Sequence, residues 1–328
     1  HWGVPLTLLQ ASKFDEVILA EMGMNHAGEL TTLSHIAEPD IVVCTMVGRA
    51  HIGSFGSEEG IAKAKQEIYD ANPKALQIFN YDNEHTIKMF EAASKVLGPD
   101  CCRVFSSFAA GAEVGMRATV MNLDSLQITG HIAGIKGEAL VPVFGRHNVV
   151  NLMAAASIAL AFGMEPELIW AALPYCQTVW GRNQLLKLPN GSKVLFDGYN
   201  ANPDSMTSLM KNLFEINCTG KKIAVLGEML ELGDDAHKLH FELGEMIGNT
   251  DVELVWFYGP HPKSFEDGIR ASSESKLVII SPDFDAKIAA RIYETLDEKD
   301  IVVIKGSRGM KLERVMLAWD PQFNAKKQ

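Results

Sequence analysis

Residues Lys222–Tyr258, KIAVLGEMLELGDDAHKLHFELGEMIGNTDVELVWFY, decide the fold class. Lys222–Leu226 is a short apolar run closed by glycine and reads as a strand. Ala236–Ile247 carries its apolar residues at helical spacing, and Glu253–Tyr258 is again strand-like. A strand, a helix and a second strand in this order form a βαβ unit, which brings the two strands into a parallel sheet. The same rhythm continues on both sides. Upstream, Gln184–Lys187 and Lys193–Phe196 flank Pro189-Asn190-Gly191, where Asn-Gly predicts a tight hairpin turn with positive φ angles, and a helix follows over Asp204–Glu215. Downstream come a strand (Leu277–Ile280), a helix (Phe284–Leu296), a strand (Ile301–Ile304) and a helix (Met310–Leu317).

The first half repeats the alternation. Strands are expected at Glu16–Glu21, Asp40–Met46, Ala75–Phe79 and Arg103–Ser106, with helices at Glu29–Ala37, Ser57–Asp70 and Glu84–Leu97. From Ala118 to Val143 the pattern becomes period-two with glycine punctuation, which predicts antiparallel strands at one edge, and a helix over Asn148–Phe162 closes the half. The expected fold class is α/β, with two mainly parallel sheets in two domains. The boundary falls near Thr178–Gly181, giving residues 1–179 and 180–328.

The bulk properties narrow the function. With 328 residues, 47% hydrophobic and 22% charged, the chain is a globular protein able to bury sizeable cores. A formal net charge of -11 excludes a nucleic-acid backbone as the expected partner, since that would require a basic face. No run of 18 apolar residues predicts a membrane span, and no secretory signal is read at the start, so a cytoplasmic location is expected. The five cysteines show no C-x-x-C spacing, and the adjacent Cys101-Cys102 read as buried inert thiols in a reducing compartment.

Polar clusters fall at the carboxyl ends of the expected strands, where α/β sheets bind ligands. Glu21 stands at a strand end before Met22–Gly28, placed to hold Mg²⁺ on a phosphate or simply to begin a solvated loop. His51 lies on the glycine-rich turn Gly48–Ser57 and is either a second metal ligand or a loop histidine. Lys65, two turns into the next helix, reads on its own as a snorkelling lysine. His147, Asn148 and Asn151 cluster in the first turn of a helix, as caps or as amides able to read a base edge. In the second half, Gly181-Arg182 precedes the hairpin. Asp197 ends a strand ahead of Asn200 and Asn202, and Asn202 before Pro203 is an expected helix cap. Lys305-Gly306-Ser307-Arg308 follows the last strand, with cations suited to a carboxylate or phosphate.

Taken together these segments resemble the Mur ligases over the whole chain. Within that family, Tyr199-Asn200-Ala201-Asn202-Pro203-Asp204-Ser205-Met206, Leu226-Gly227-Glu228-Met229-Leu230-Glu231-Leu232-Gly233 and Lys305-Gly306-Ser307-Arg308 are similar to the branch that adds D-alanyl-D-alanine to UDP-N-acetylmuramoyl-tripeptide in peptidoglycan synthesis. The resemblance implies an ATP- and Mg²⁺-dependent ligase acting through an acyl phosphate that the dipeptide amine then attacks. It implies Glu21 and His51 as Mg²⁺ ligands and Lys65 as a lysine that becomes carbamylated and ligates a second Mg²⁺. Asn148 and Asn151, beside His147, would contact adenine and phosphate. Arg182 would contact phosphate or ribose and Asp197 the ribose, while Asn200, Asn202, Lys305, Ser307 and Arg308 would shape the substrate side. A monomer is expected.

Two departures stand out. Thr45-Met46 occupies a place where the family usually carries Thr-Asn, and no G-x-x-x-x-G-K-[ST] phosphate loop occurs among the 328 residues. The chain is therefore expected to begin inside the ATP domain, without the UDP-binding domain, and to be inactive by itself. The alternatives are a non-catalytic Mur-ligase-like binding module and another Mur or folylpolyglutamate-type ligase.

Overall fold

The computed structural model describes residues 2–323. They form two compact units. One comprises residues up to Thr119 with Gln127–Leu140 and His147–Pro174, and the other Val120–Leu126, Val141–Arg146 and residues from Tyr175 onward.

The first unit carries α1 (Gly3–Gln10), α2 (Glu29–Ala37), β1 (Ile41–Cys44), α3 (Ile52–Phe55), α4 (Glu58–Asp70), β2 (Leu76–Asn80), α5 (Glu84–Leu97) and β3 (Cys102–Phe105). Then follow β4 (Val114–Met121), β5 (Leu126–Ile132), β6 (Ile135–Val141), α6 (Asn148–Ala161) and α7 (Pro166–Ala172). The sheet runs β1-β2-β3-β4-β5-β6, with β1, β2 and β3 parallel. Helix α4 starts because the Ser57 side chain accepts from Gly60 N–H and Glu58 and Glu59 complement the helix dipole. Its inner face buries Ile61, Ala64 and Tyr69 with Val42 and Phe79 of the sheet.

The strand expected over Glu16–Glu21 is absent: this segment has no regular structure, and Val17, Ile18 and Leu19 stay exposed. A strand is stabilised by pairing its backbone with a neighbour, and among the described residues β1 pairs within the sheet with β2 alone, its other edge not joined by the Glu16–Glu21 segment. An apolar run that makes no ladder hydrogen bonds remains coil.

The second unit carries β7 (Gln184–Lys187), β8 (Lys193–Asp197), α8 (Pro203–Glu215), β9 (Lys222–Gly227), α9 (Ala236–Gly248), β10 (Val252–Tyr258), α10 (Pro262–Ser272), β11 (Leu277–Ser281), α11 (Ala286–Glu294), β12 (Ile301–Lys305) and α12 (Glu313–Trp319). Its sheet order is β11-β10-β9-β12-β8-β7, parallel except for the antiparallel β7–β8 hairpin. Every residue of β9 and β12 is buried, as parallel strands covered on both faces require. The hairpin turn differs from expectation. Gly191 N–H donates to Leu188 O, and of the pair only Gly191 (φ 92°) takes a positive φ. This is a three-residue loop with glycine at the left-handed position, while Asn190 instead accepts from Ser192 N–H. The sequence reading leaves out α10, which Pro262 opens at the first helical position.

Candidate active site

In the first unit the carboxyl ends of β1, β2 and β3 are laced together by side chains. Asn80 Nδ2 donates to Thr45 O at 2.8 Å, and Asn83 Nδ2 donates to Val47 O at 2.9 Å. Asp82 accepts from the Ser106 hydroxyl and from Ser107 N–H. These bonds fix the 45–47 backbone, and Lys65 reaches it: its Nζ donates to Met46 O at 2.7 Å. That carbonyl belongs to the main chain, so this bond does not depend on Met46 standing where the family usually carries Asn.

Glu21 and His51, which the sequence places thirty residues apart, line one pocket of about 310 Å³ together with Asn25, Glu29, Val4 and Leu33. His51 holds φ 65°, a left-handed value uncommon outside glycine, at the start of α3. Lys65 is not part of that lining and sits half-buried on α4. Two further carboxylates shape the pocket's loop, neither of them singled out by the sequence. Glu29 accepts from Asn25 N–H at 2.7 Å, and that bond, followed by the neighbouring His26, lowers its pKa below the usual carboxylate range. Glu67, on α4 two residues after Lys65, accepts from Gly28 N–H at 2.6 Å and from Thr31 N–H at 3.2 Å, so it satisfies the open amides that begin α2. The readable signal was the Lys65-Gln66-Glu67 run itself.

Glu21 and Glu29 bring two carboxylates to the lining of this water-open pocket, the oxygen donors that a hard divalent cation such as Mg²⁺ takes, with the His51 imidazole on the same lining. At the start of α6, Asn151 Nδ2 donates to Asn148 Oδ1 at 3.1 Å, and Asn148 lies beside His147 Nε2 at 3.5 Å. The two amides share one face, as their spacing implies.

In the second unit, Asp197 and Lys305 are register partners at the carboxyl ends of β8 and β12. Lys305 Nζ donates to Asp197 Oδ2 at 2.5 Å and to Asn200 O at 3.0 Å, and Asp197 also accepts from Asn183 N–H. Lys305 is only 1% exposed. Its ammonium is engaged by Asp197 and the Asn200 carbonyl and so holds the Asn200 loop. Ser307 is likewise buried: it donates to Ala201 O and accepts from Leu230 N–H, tying three loops at one point. Asn202 caps α8 in a reciprocal box with Ser205, so its amide is engaged in the helix start. Two arginines remain on the surface. Arg182 stacks 4.3 Å over the Tyr199 ring, and Arg308 pairs with both Glu313 oxygens and lies over Trp180.

Comparison with known proteins bears on this arrangement. The Mur ligase middle domain matches residues 1–159, and the Mur ligase glutamate ligase domain matches residues 181–308. A UDP-N-acetylmuramoyl-tripeptide–D-alanyl-D-alanine ligase of Bacillus subtilis is 31% identical over 318 residues, covering 96% of this chain and 67% of its own length. The chain belongs to the Mur ligase family. An Escherichia coli enzyme of the same name is 29% identical, over 96% of this chain and 68% of the relative. A crystal structure of MurF from Acinetobacter baumannii superimposes with a TM-score of 0.83 at 27% identity, over 95% of this chain and 66% of that one. A MurF ligase of Thermotoga maritima, solved in complex with ADP, has the same fold at 24% identity and a TM-score of 0.78. The Mur ligase chain described here thus spans about two thirds of the length of these relatives.

Proposed function

We propose that this Mur ligase chain provides the ATP-handling and C-terminal parts of the enzyme that joins D-alanyl-D-alanine to UDP-N-acetylmuramoyl-tripeptide. The observation that carries the reading is the agreement across 96% of the chain with relatives of that name, at 31% and 29% identity, over both of its family domains. Residues 1–179 are taken as the ATP-binding part and 180–328 as the ligase part. No helix among the described residues is long and apolar enough to cross a membrane. The nucleotide-linked substrate favours the cytoplasm as the place of action, and the enzyme is read as a monomer.

In this reading Glu21 and His51 hold Mg²⁺, which when bound neutralises phosphate charge as the tripeptide carboxylate attacks ATP. Lys65, after carbamylation, turns from a cation into an anionic ligand beside the fixed Met46 carbonyl. His147, Asn148 and Asn151 contact adenine and phosphate. Arg182 presents a planar cation to phosphate or ribose, and Asp197 accepts a ribose hydroxyl. Asn200, Asn202, Lys305 and Ser307 shape the substrate side, with Lys305 pinning the Asn200 loop, and Arg308 exchanges its Glu313 partner for the dipeptide carboxylate.

The test is a ligation assay on the enzyme carrying this chain, with ATP, Mg²⁺ and either UDP-N-acetylmuramoyl-tripeptide plus D-alanyl-D-alanine or a folate plus L-glutamate. Product is expected with the dipeptide alone. Product with glutamate alone would favour a folylpolyglutamate-type ligase, and none with either would favour a binding module.

A further inference from the structure

The carboxyl end of β9 carries a second polar cluster that the ligase reading does not use. Glu228 follows the last residue of the strand and is 1% exposed. One of its carboxylate oxygens faces two imidazoles. His261 Nδ1 bonds to Oε1, and His240 Nε2 lies 3.5 Å from the same oxygen. The other oxygen, Oε2, accepts from His261 N–H at 3.1 Å. The three donor atoms, one from each side chain, all lie within 4.8 Å of one another.

Each donor is oriented from outside. His240 Nδ1 lies 2.7 Å from Ala236 O, an arrangement that places its proton on Nδ1 and leaves the lone pair on Nε2. A ring N–H held by a backbone carbonyl is the usual support of a metal-bound histidine. At present that lone pair accepts from Met229 N–H at 3.1 Å. Gly259 leaves the space the carboxylate needs, since a Cβ there would lie 2.5 Å from Glu228 Oε2. His261 is partly exposed, and its ring meets the exposed His237 edge-on at 4.5 Å, so the cluster opens to water on that side.

We propose that Glu228, His240 and His261 form a binding site for a borderline divalent transition ion of the Zn²⁺ or Co²⁺ class. Two imidazoles and one carboxylate are a donor set such ions favour, with a remaining position left to water. The ion takes the place of the hydrogen between His261 Nδ1 and Glu228 as His261 turns to its Nε2–H tautomer, and His240 Nε2 exchanges the Met229 amide for the ion. Bound there, it clips the end of β9 to the starts of α9 and α10.

The test is titration of the full chain with Co²⁺ and with Zn²⁺ in excess Mg²⁺, read by visible absorption and by calorimetry. The expected result is one saturable equivalent giving visible Co²⁺ bands without a thiolate charge-transfer band. His261→Ala should abolish those bands and weaken Zn²⁺ binding by more than the roughly 10–100-fold that loss of a supporting group costs. Glu228→Gln should do the same, with far-ultraviolet circular dichroism confirming that both variants fold. Absence of saturable binding would overturn the proposal, as would a thiolate band from the free cysteines or bands unchanged in both variants.

Discussion

Two lysines stand beside strand ends of the two sheets, and the chain treats them in opposite ways. Lys305 ends β12, is 1% exposed, and gives its ammonium to Asp197 and to the Asn200 carbonyl. Lys65 is half-buried on α4 and donates to the neutral carbonyl of Met46. A buried charge is tolerated when an opposite charge and further hydrogen bonds offset its desolvation. A lysine whose amine must react needs access to solvent and no carboxylate fixing it as a cation. The difference separates a lysine that builds the scaffold from one available to chemistry.

The largest effect expected from breaking this contrast is at the scaffold lysine. Lys305→Ala leaves Asp197 buried without its partner and should cost about 3–5 kcal/mol in urea unfolding. The paired change Lys305→Met with Asp197→Leu should recover most of that loss. Recovery would show that the single-variant cost came from the stranded charge rather than from lost packing.

Tyr69 is the first unit's counterpart, a buried group whose hydroxyl receives Cys44 N–H and donates to Ile78 O. Tyr69→Phe should cost about 1–3 kcal/mol, because it leaves a buried amide unsatisfied. Burial raises the pKa of both Tyr69 and Cys44. The folded state therefore holds more protons than the unfolded chain, whose cysteine and tyrosine titrate near about 8.5 and 10. Their contribution is full below about pH 8.5 and is lost as pH rises. The urea midpoint should fall between pH 8 and pH 10, and less steeply in Tyr69→Phe.

Smaller effects belong to local features. Asn202→Ala removes the cap of α8 and should cost about 1 kcal/mol, while Asn202→Asp should retain most of the stability. Glu84→Ala opens an exposed pair with Lys88 and should leave the unfolding midpoint unchanged within error.

Much of this was legible in the sequence. Strand and helix periods gave the two α/β units, and Pro203 marked Asn202 as a cap. Glu21 and His51, expected as Mg²⁺ ligands from the resemblance, line one pocket. The strand at Glu16–Glu21 was misread because an apolar run carries no information about whether a neighbouring strand exists. The Asp197–Lys305 pair was hidden for a related reason: the residues lie 108 positions apart, and the β8–β12 register alone brings them together. Glu228, His240 and His261 escaped notice because their spacing matches no local ligand motif, and the fold alone assembles them.

Lys65 is proposed to serve the reaction, whereas Lys305 serves the fold. The direct measurement is Lys65→Ala in the enzyme carrying this chain, with ligation turnover and the thermal midpoint recorded side by side. Turnover should fall by roughly a hundredfold or more, equivalent to at least about 2.7 kcal/mol of barrier, with the midpoint close to wild type. Full turnover in Lys65→Ala, or a loss that only tracks unfolding, would contradict it.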